Sequence, residues 1–498
     1  MAGYGIGAND MKKCRAVAAL IVLFCLLFQG NALALNKYPI NYIYVGEKNQ
    51  KITNSSGHIY IPVTYTVQQV YAVVEDETAA GFNYPDDIFI AGNDEIYVAD
   101  TGNDRIVRLA QDGSTVAIYT GTSDSRFSGP RGVFVDDNGV IYVADSGNSR
   151  IVEMDGSGNL LHEYRKPESE LLDSVQEFIP TKVVVGPTGY IYTLVGKDLM
   201  AIDRSGRFKG YIGATDLDFD LWYTLLKSVL TDEQVAKLDK RTPPAYNNFM
   251  LNNDGLFLAV TNADKDQIRI LNSVGTNIYP TGFYGEILSI DSEKNEYIRP
   301  RFADVTCDKN GVISALDQES GYIYQYDKEG NILAVFGGKG NNMGYFDMPI
   351  SIATDSTDCL YVLDATRKNI QKFASTSFMD KIHLASQTYF DGDYTSAEAA
   401  CQEILSLCAD YPLAHRRLGS IYYKSERYDE AKEQYALAED MDGYSESFAK
   451  ARHQFVRDHF FLVAMIAGAI IAALAVLTVY SKRHADRVRD RSYDGGRR

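Results

Sequence analysis

IYVADTGNDRIV, residues Ile96–Val107, returns as IYVADSGNSRIV at Ile141–Val152. A near-copy of this kind, at a spacing of about 20–50 residues, marks an array of small repeated units. Apolar residues crowd the first half of each copy, with β-branched and aromatic types that suit strands. Asp, Gly and Asn in the middle mark a turn. Each copy also follows a proline, a hydrophobic run and a polar turn.

Working outward, the same pattern opens at FNYPDDIFI (Phe82), FSGPRGVFV (Phe127), EFIPTKVVV (Glu177), AYNNFML (Ala245), IRPRFADV (Ile298) and FDMPISIA (Phe346). Each unit reads as a four-stranded antiparallel meander, too small to bury a core alone. Radial packing buries both faces of each sheet between neighbours. The predicted fold is therefore mainly β, a six-bladed propeller within residues 35–375. The sixth unit passes into helical sequence before a fourth strand. TVQQVYAVVE, at 66–75, is expected to supply that strand and close the ring. A helical insertion is expected at 214–245, between the third and fourth blades, with an apolar face at Phe219, Trp222, Leu225, Leu226 and Val229.

The ends follow membrane logic. Residues 1–34 read as a signal peptide: Lys12, Lys13 and Arg15, an apolar run, then Ala32-Leu33-Ala34. Residues 460–480 carry no charge and reach about 30 Å as a helix, enough to cross a bilayer. The basic tail at 481–498 places the C-terminus in the cytoplasm by the positive-inside rule. The body is then extracytoplasmic on a single-pass anchor at the cell membrane. Net charge is −17, and both ends are basic, so the body is more acidic still. That argues against nucleic acid and against an anionic membrane surface as ligands of the body. Cys307, Cys359, Cys401 and Cys408 show no metal-site spacing, and a Cys307–Cys359 bond stays open.

Residues 380–456 change to a helical period. Leu418, Gly419, Tyr422, Ala431, Tyr435 and Ala438 fit the 34-residue tetratricopeptide (TPR) unit, with Leu384, Ala397 and Cys401 as an earlier copy. Such a unit points to protein partners, or to a stalk.

The run from Asp136 to Ile151, D-x-x-G-x-I-Y-V-A-D-x-x-N-x-R-I, resembles the NHL repeat, and Ile96–Ile106 matches it too. The resemblance covers roughly residues 66–375 and implies the same six-bladed propeller. The whole order is similar to bacterial surface proteins of Gram-positive lineages, encoded near carbohydrate ABC importers. This resemblance implies an importer subunit as a partner.

The Asp100/Asn103/Arg105 and Asp145/Asn148/Arg150 sets recur at equivalent places, so they read as structural. Asp and Asn are expected to hold loop N–H groups, and Arg an acid of the adjacent blade. No catalytic residue is assigned, because no serine–histidine pairing or nucleophile elbow is visible. Six-bladed lactonases resemble this fold and hold an axial divalent ion. Asp86, Asp304, Asn247 and Asn248 are the residues here with the oxygen chemistry for one. No cofactor is called for, and a structural Ca²⁺ stays open. The loops entering each first strand gather the ligand-binding candidates Asp86, Asp87, Arg131, Lys182, Asn247, Asn248, Arg301 and Asp304 on one face. The function expected is binding or scaffolding, with a carbohydrate, peptide or protein ligand on the propeller. The alternative is a surface-tethered metal-dependent hydrolase.

Overall fold

The computed structural model describes residues 59, 61–72, 81–122, 125–169, 177–213, 245–263, 265–273, 275–282, 284–285, 289–291, 296–298 and 300–494, without side chains at 289–291, 296–298 and 484–494. The expected signal peptide, residues 73–75 of the expected closing strand, and residues 214–244 of the expected insertion, Trp222 included, lie outside the described residues. The chain divides into two compact units, Lys37–Leu413 and a second that holds Ala414–Arg498.

The first unit is a six-bladed β-propeller. Blade one is β2 (Asp87–Ile90), β3 (Ile96–Asp100), β4 (Arg105–Leu109) and β5 (Thr115–Tyr119). Blade two is β6 (Pro130–Val135), β7 (Ile141–Asp145), β8 (Arg150–Met154) and β9 (Leu160–Tyr164). Blade three is β10 (Pro180–Val185), β11 (Ile191–Val195), β12 (Asp198–Ile202) and β13 (Phe208–Tyr211). Blade four keeps three strands, β14 (Tyr246–Leu251), β15 (Phe257–Thr261) and β16 (Ile268–Leu271), with a single bridge from Leu271 to Asn277 at its outer edge. A hairpin, β17 (Ser289–Asp291) and β18 (Glu296–Ile298), precedes blade five. Blade five is β19 (Phe302–Cys307), β20 (Ile313–Asp317), β21 (Tyr322–Tyr326) and β22 (Ile332–Gly337). Blade six takes β23 (Pro349–Thr354), β24 (Leu360–Asp364) and β25 (Asn369–Ser375), and its outer strand is β1 (Tyr65–Tyr71). β1 pairs antiparallel with β25, from Tyr65 opposite Ser375 to Tyr71 opposite Ile370.

Burial follows the radius. In β3 and β7 all five IYVAD residues are buried, because each sheet is covered on both faces by its neighbours. Outer strands β5 and β9 bury only part of their length. Apolar clusters fill the gaps between successive blades, such as Val98, Val107, Tyr361 and Leu363 between blades one and six. The polar turns between first and second strands share one device in blades two, four, five and six, where an Asp or Asn side chain accepts from the turn; Ala91 and Gly186 stand at that place in blades one and three. Asp136 Oδ1 accepts from Asn138 N and Val140 N at 2.9 Å, and Gly139 takes φ +79 to close the turn. Asp155 repeats this with Ser157 N, Asn159 N and Gly158 in the turn joining strands three and four. Cys307 and Cys359 are free thiols.

Two helices, α1 (Ser377–Phe390) and α2 (Tyr394–Leu407), belong to the propeller unit. The Tyr411 hydroxyl that follows them donates to the Leu333 carbonyl of β22 at 2.7 Å, and its ring meets Phe378 edge-on. Ala397 and Cys401 are buried as the helical repeat requires, but Leu384 is 50% exposed. Burial on α1 falls on Ile382, Ala385 and Tyr389 instead, so this helix is turned by about one residue from the expected register.

The second unit holds α3 (Pro412–Lys424, which begins at the division), α4 (Tyr428–Leu437), α5 (Met441–Asp458) and α6 (Phe460–Asp494). Leu418, Tyr422, Ala431, Tyr435 and Ala438 are buried. A Cβ on Gly419 would sit 2.9 Å from the Tyr435 ring, which is why α3 and α4 approach closely only with glycine there. Phe460–Arg483 of α6 is long and apolar enough to cross a membrane.

Candidate functional site

The innermost strands β2, β6, β10, β14, β19 and β23 stand next to one another in a closed cycle around the axis. In five of them a one-residue bulge follows the first position. The bulge fixes two stacked rings of equivalent side chains.

The inner ring is Asp87, Gly132, Lys182, Asn248, Asp304 and Ser351, each opposite the same position of its second strand. Lys182 Nζ meets Asp87 Oδ1 at 2.6 Å, although a whole blade separates them. That reach depends on Gly132, which presents no side chain between the two. A Cβ there would also stand 2.8 Å from the Thr181 carbonyl oxygen, so the blades leave no room for one. The Ser351 hydroxyl donates to Asp304 Oδ2 at 2.6 Å and lies 3.2 Å from Asp87 Oδ1. The backbone links the same residues around the wheel. Ile352 N donates to Asp304, Ile88 N to Ser351 and Val133 N to Asp87, each to the preceding blade. Asp87, Lys182, Asp304 and Ser351 are all buried. Four of the six ring positions are therefore joined in a network of the chain's own residues.

Burial pushes the Asp304 carboxyl up to about 6; Lys182 draws it down and Asp87 adds to the rise. Burial also raises Asp87, against Lys182. Burial acts to lower the Lys182 ammonium, but Asp87 and Asp304 outweigh it and hold it above its ordinary value. A carboxyl raised in the folded state takes up a proton on folding, so its contribution to stability declines as pH rises from about 4 to about 6. His383, lowered to about 4 by burial, works in the opposite sense across the same window. The comparison that isolates Asp304 is wild type against Asp304→Asn. Urea unfolding should show the wild type losing stability relative to the variant from pH 4 through about 6, levelling off above it.

The outer ring, at the bulge, lies at the mouth. It includes Asp86, Arg131, Thr181 and Asn247. Arg131 Nε donates to the Asp86 carboxylate across the first two blades. Asn247 Nδ2 turns to the Asn262 side chain at 2.6 Å and the Phe302 carbonyl at 2.7 Å. Asn248 Oδ1 accepts from Phe249 N. Arg301 stands outside both rings, exposed, in the loop entering blade five. The eight candidates thus separate into a buried axial group (Asp87, Lys182 and Asp304, with half-buried Asn248), a mouth group (Asp86, Arg131, Asn247) and one rim residue.

The Asp-Asn-Arg sets are internal clasps. Asp145 Oδ1 accepts from Ser128 N at 2.7 Å in the loop entering the blade, and Oδ2 takes Asn148 and Arg150 at 2.8 and 2.7 Å. Asp100 does the same with Asn83 N, Asn103 and Arg105. Arg150 pairs with Asp145 and Glu163 of its own blade, not with an acid of the adjacent blade as the sequence suggested. The hairpin places the two side chains opposite one another, since Asp145 and Arg150 are register partners. Contact with the next blade comes instead from Thr101 and Ser146, whose hydroxyls donate to the Pro130 and Pro180 carbonyls.

Sequence reasoning passed over Ser351, Gly132 and Tyr84. The first two lie two residues after Pro349 and Pro130, as Asp87 and Lys182 do after Pro85 and Pro180, so aligning the prolines reveals them. Tyr84 carries no such signal. It adopts φ +44, a conformation costly for a bulky residue and doubly so before proline. The equivalent residue of blade two is Gly129, at φ +52. Tyr84 is 66% exposed on the rim, with Met348 (41%) and Ile179 (38%) at the same position of blades six and three.

The NHL repeat family model matches residues 127–153, most of blade two. No curated protein matches the chain. Among solved structures it is similar to a streptogramin B lyase at 16% identity, covering 58% of this chain and 78% of that one, with a TM-score of 0.36. It is similar to the virginiamycin B lyase of Staphylococcus aureus at 13% identity, covering 62% and 99%, TM-score 0.38. A protein of unknown function from Bacteroides thetaiotaomicron matches at 13% identity, covering 63% and 76%, TM-score 0.41. Identities this low transfer no activity.

Proposed function

We propose that this chain is a membrane-anchored binding or scaffold protein, whose propeller presents the rim of its axial mouth to a protein ligand. The carrying observation is the rim itself. The axial Asp87, Lys182, Asp304 and Ser351 are engaged with one another, which leaves the exposed rim as the surface offered to a partner. The apolar groups exposed there are Tyr84, Ile179 and Met348, at matching places on three blades, with exposed Arg301 at that place on blade five. Tyr84 is held against its backbone preference at a cost of about 1–2 kcal/mol, and strain of this kind is kept where a side chain has a task. Apolar and aromatic side chains of this type anchor protein interfaces. The helical segments, read as TPR-like, contact partners near the membrane, and a carbohydrate importer subunit is the partner proposed. A carbohydrate ligand has weaker support, because the polar groups of the mouth are already occupied with one another. The hydrolase reading also has weaker support. Asp304 accepts from Ser351 and Ile352, Asp86 is paired with Arg131, and both asparagines turn to protein partners. Among the described residues no group of three His, Cys, Asp or Glu is placed to hold a metal ion.

The test uses crosslinking in intact cells, purification through a tag on the C-terminal tail, and identification of the partners. Tyr84→Gly should raise unfolding stability by about 1 kcal/mol, through relief of strain, while lowering recovery of importer subunits several-fold. Unchanged recovery with a folded Tyr84→Gly would remove the rim from the binding surface. Recovery of the chain alone in wild type would remove the scaffold reading.

A further inference from the structure

Where α5 meets α6, the chain carries a second surface that the propeller reading does not use. α5 ends at Asp458, His459 leaves helical geometry (φ −113, ψ +27), and α6 starts at Phe460. In the last turn of α5, Phe455 is 56% exposed and Val456 is exposed beside it, with Phe460 and Phe461 just beyond the break. The Phe455 ring stacks on the His459 imidazole with centroids 4.5 Å apart, so the aromatic group continues across the break. Lys450, Arg452 and Arg457 are exposed along the same final turns; Asp458, the one acid between Lys450 and Tyr480, lies 3.4 Å from Arg457 Nε in an exposed pair.

We infer that the end of α5 docks in the headgroup layer of the bilayer, with Phe455 and Val456 in the interface and Lys450, Arg452 and Arg457 on anionic lipid phosphates. This rests on α6 spanning the membrane. Phe455 lies five residues before Phe460, about 7.5 Å at helical rise, and the headgroup layer extends roughly 5–7 Å beyond the hydrocarbon on each side. Phe455 thus reaches the edge of that layer; Lys450 and Arg452, about 15 and 12 Å from Phe460 at helical rise, reach the phosphates by the turn of α5 along the surface at the His459 break. Aromatic rings settle at that depth, and where the facing leaflet carries as much anionic lipid as a cytoplasmic one, each basic side chain strengthens docking about five-fold. A protein occupant would not need three cations beside the aromatic group; an anionic lipid surface matches both features.

The full chain is reconstituted in nanodiscs, with Trp222→Phe removing the single native tryptophan. Tryptophan is then placed at Phe455, at Ala467 as a mid-span reference, or at Ser445 as a reference away from the bilayer. Quenching by brominated lipid is read in phosphatidylcholine alone and with phosphatidylglycerol added. The expected result is strong quenching at 467 in both lipids, and quenching at 455 by shallow bromines that rises with phosphatidylglycerol. The change to Gln at Lys450, Arg452 and Arg457 together should return the 455 signal to its phosphatidylcholine level, and 445 should remain unquenched. Quenching at 467 without quenching at 455 would overturn the docking while leaving the span intact. Quenching at 455 that ignores both phosphatidylglycerol and the triple change would overturn the role of the three cations. No quenching at 467 would overturn the span, and the docking with it.

Discussion

Lys182→Met should lower the unfolding free energy of the propeller by about 3–5 kcal/mol at pH 7, because it leaves buried carboxylates without their cation. Lys182, Asp87 and Asp304 are all buried at the axis, and the ammonium is 2.6 Å from Asp87. Methionine fills similar volume, so little of the loss comes from packing. The loss should shrink at pH 5, where Asp304, raised to about 6 in the wild type, takes up its proton. Adding Asp87→Asn should restore part of the stability, since the amide oxygen still accepts from Val133 N while the charge is gone. Urea unfolding of the full chain in micelles at both pH values decides the matter. Equal midpoints for wild type and Lys182→Met at pH 7 would mean that water or rearrangement screens the ring.

Asp145→Ala should cost a similar amount, about 3–5 kcal/mol, by a different route. It strands the Arg150 guanidinium, whose side chain is 3% exposed, although Glu163 retains one of its nitrogens. It also removes the acceptor for Ser128 N, which fixes the loop entering blade two. The loop carries Gly129 and leads to Pro130, so the damage should reach the rim. Hydrogen exchange should show faster exchange at residues 126–131 than in the wild type, and thermal unfolding should move down. A change confined to β7 and β8 would contradict the clasp.

Much of the candidate site was legible because the repeat makes positions comparable. Asp87 and Lys182 stand two residues after a proline at the start of an inner strand, and Asp304 aligns with them through Phe302. The contents of the ring were not legible as a network. Whether Lys182 reaches Asp87 depends on Gly132 in the blade between, and on how far six strands stand from a common axis. Asn247 and Asn248 show the same limit from the other side. Their types suit ligand binding, yet the bulge points one toward Asn262 and Phe302, while the other accepts a neighbouring backbone N–H. Leu384 was misplaced because a helical period tolerates a shift of one residue without losing its pattern, whereas packing against a specific neighbour does not.

The amino-acid order alone determined the six units, their meander, the late pairing of an early strand with the last blade, and an apolar helix near the C-terminus. These are properties of local pattern: alternation, turn chemistry and uninterrupted hydrophobic length. Only the tertiary structure decided that one axial ammonium serves two carboxyls, that the Asp-Asn-Arg sets close within their own blades, and that Tyr84 stands on the rim in a conformation its twin position gives to glycine. Those outcomes depend on distances between residues far apart in the chain, and electrostatic and steric energies change steeply with such distances.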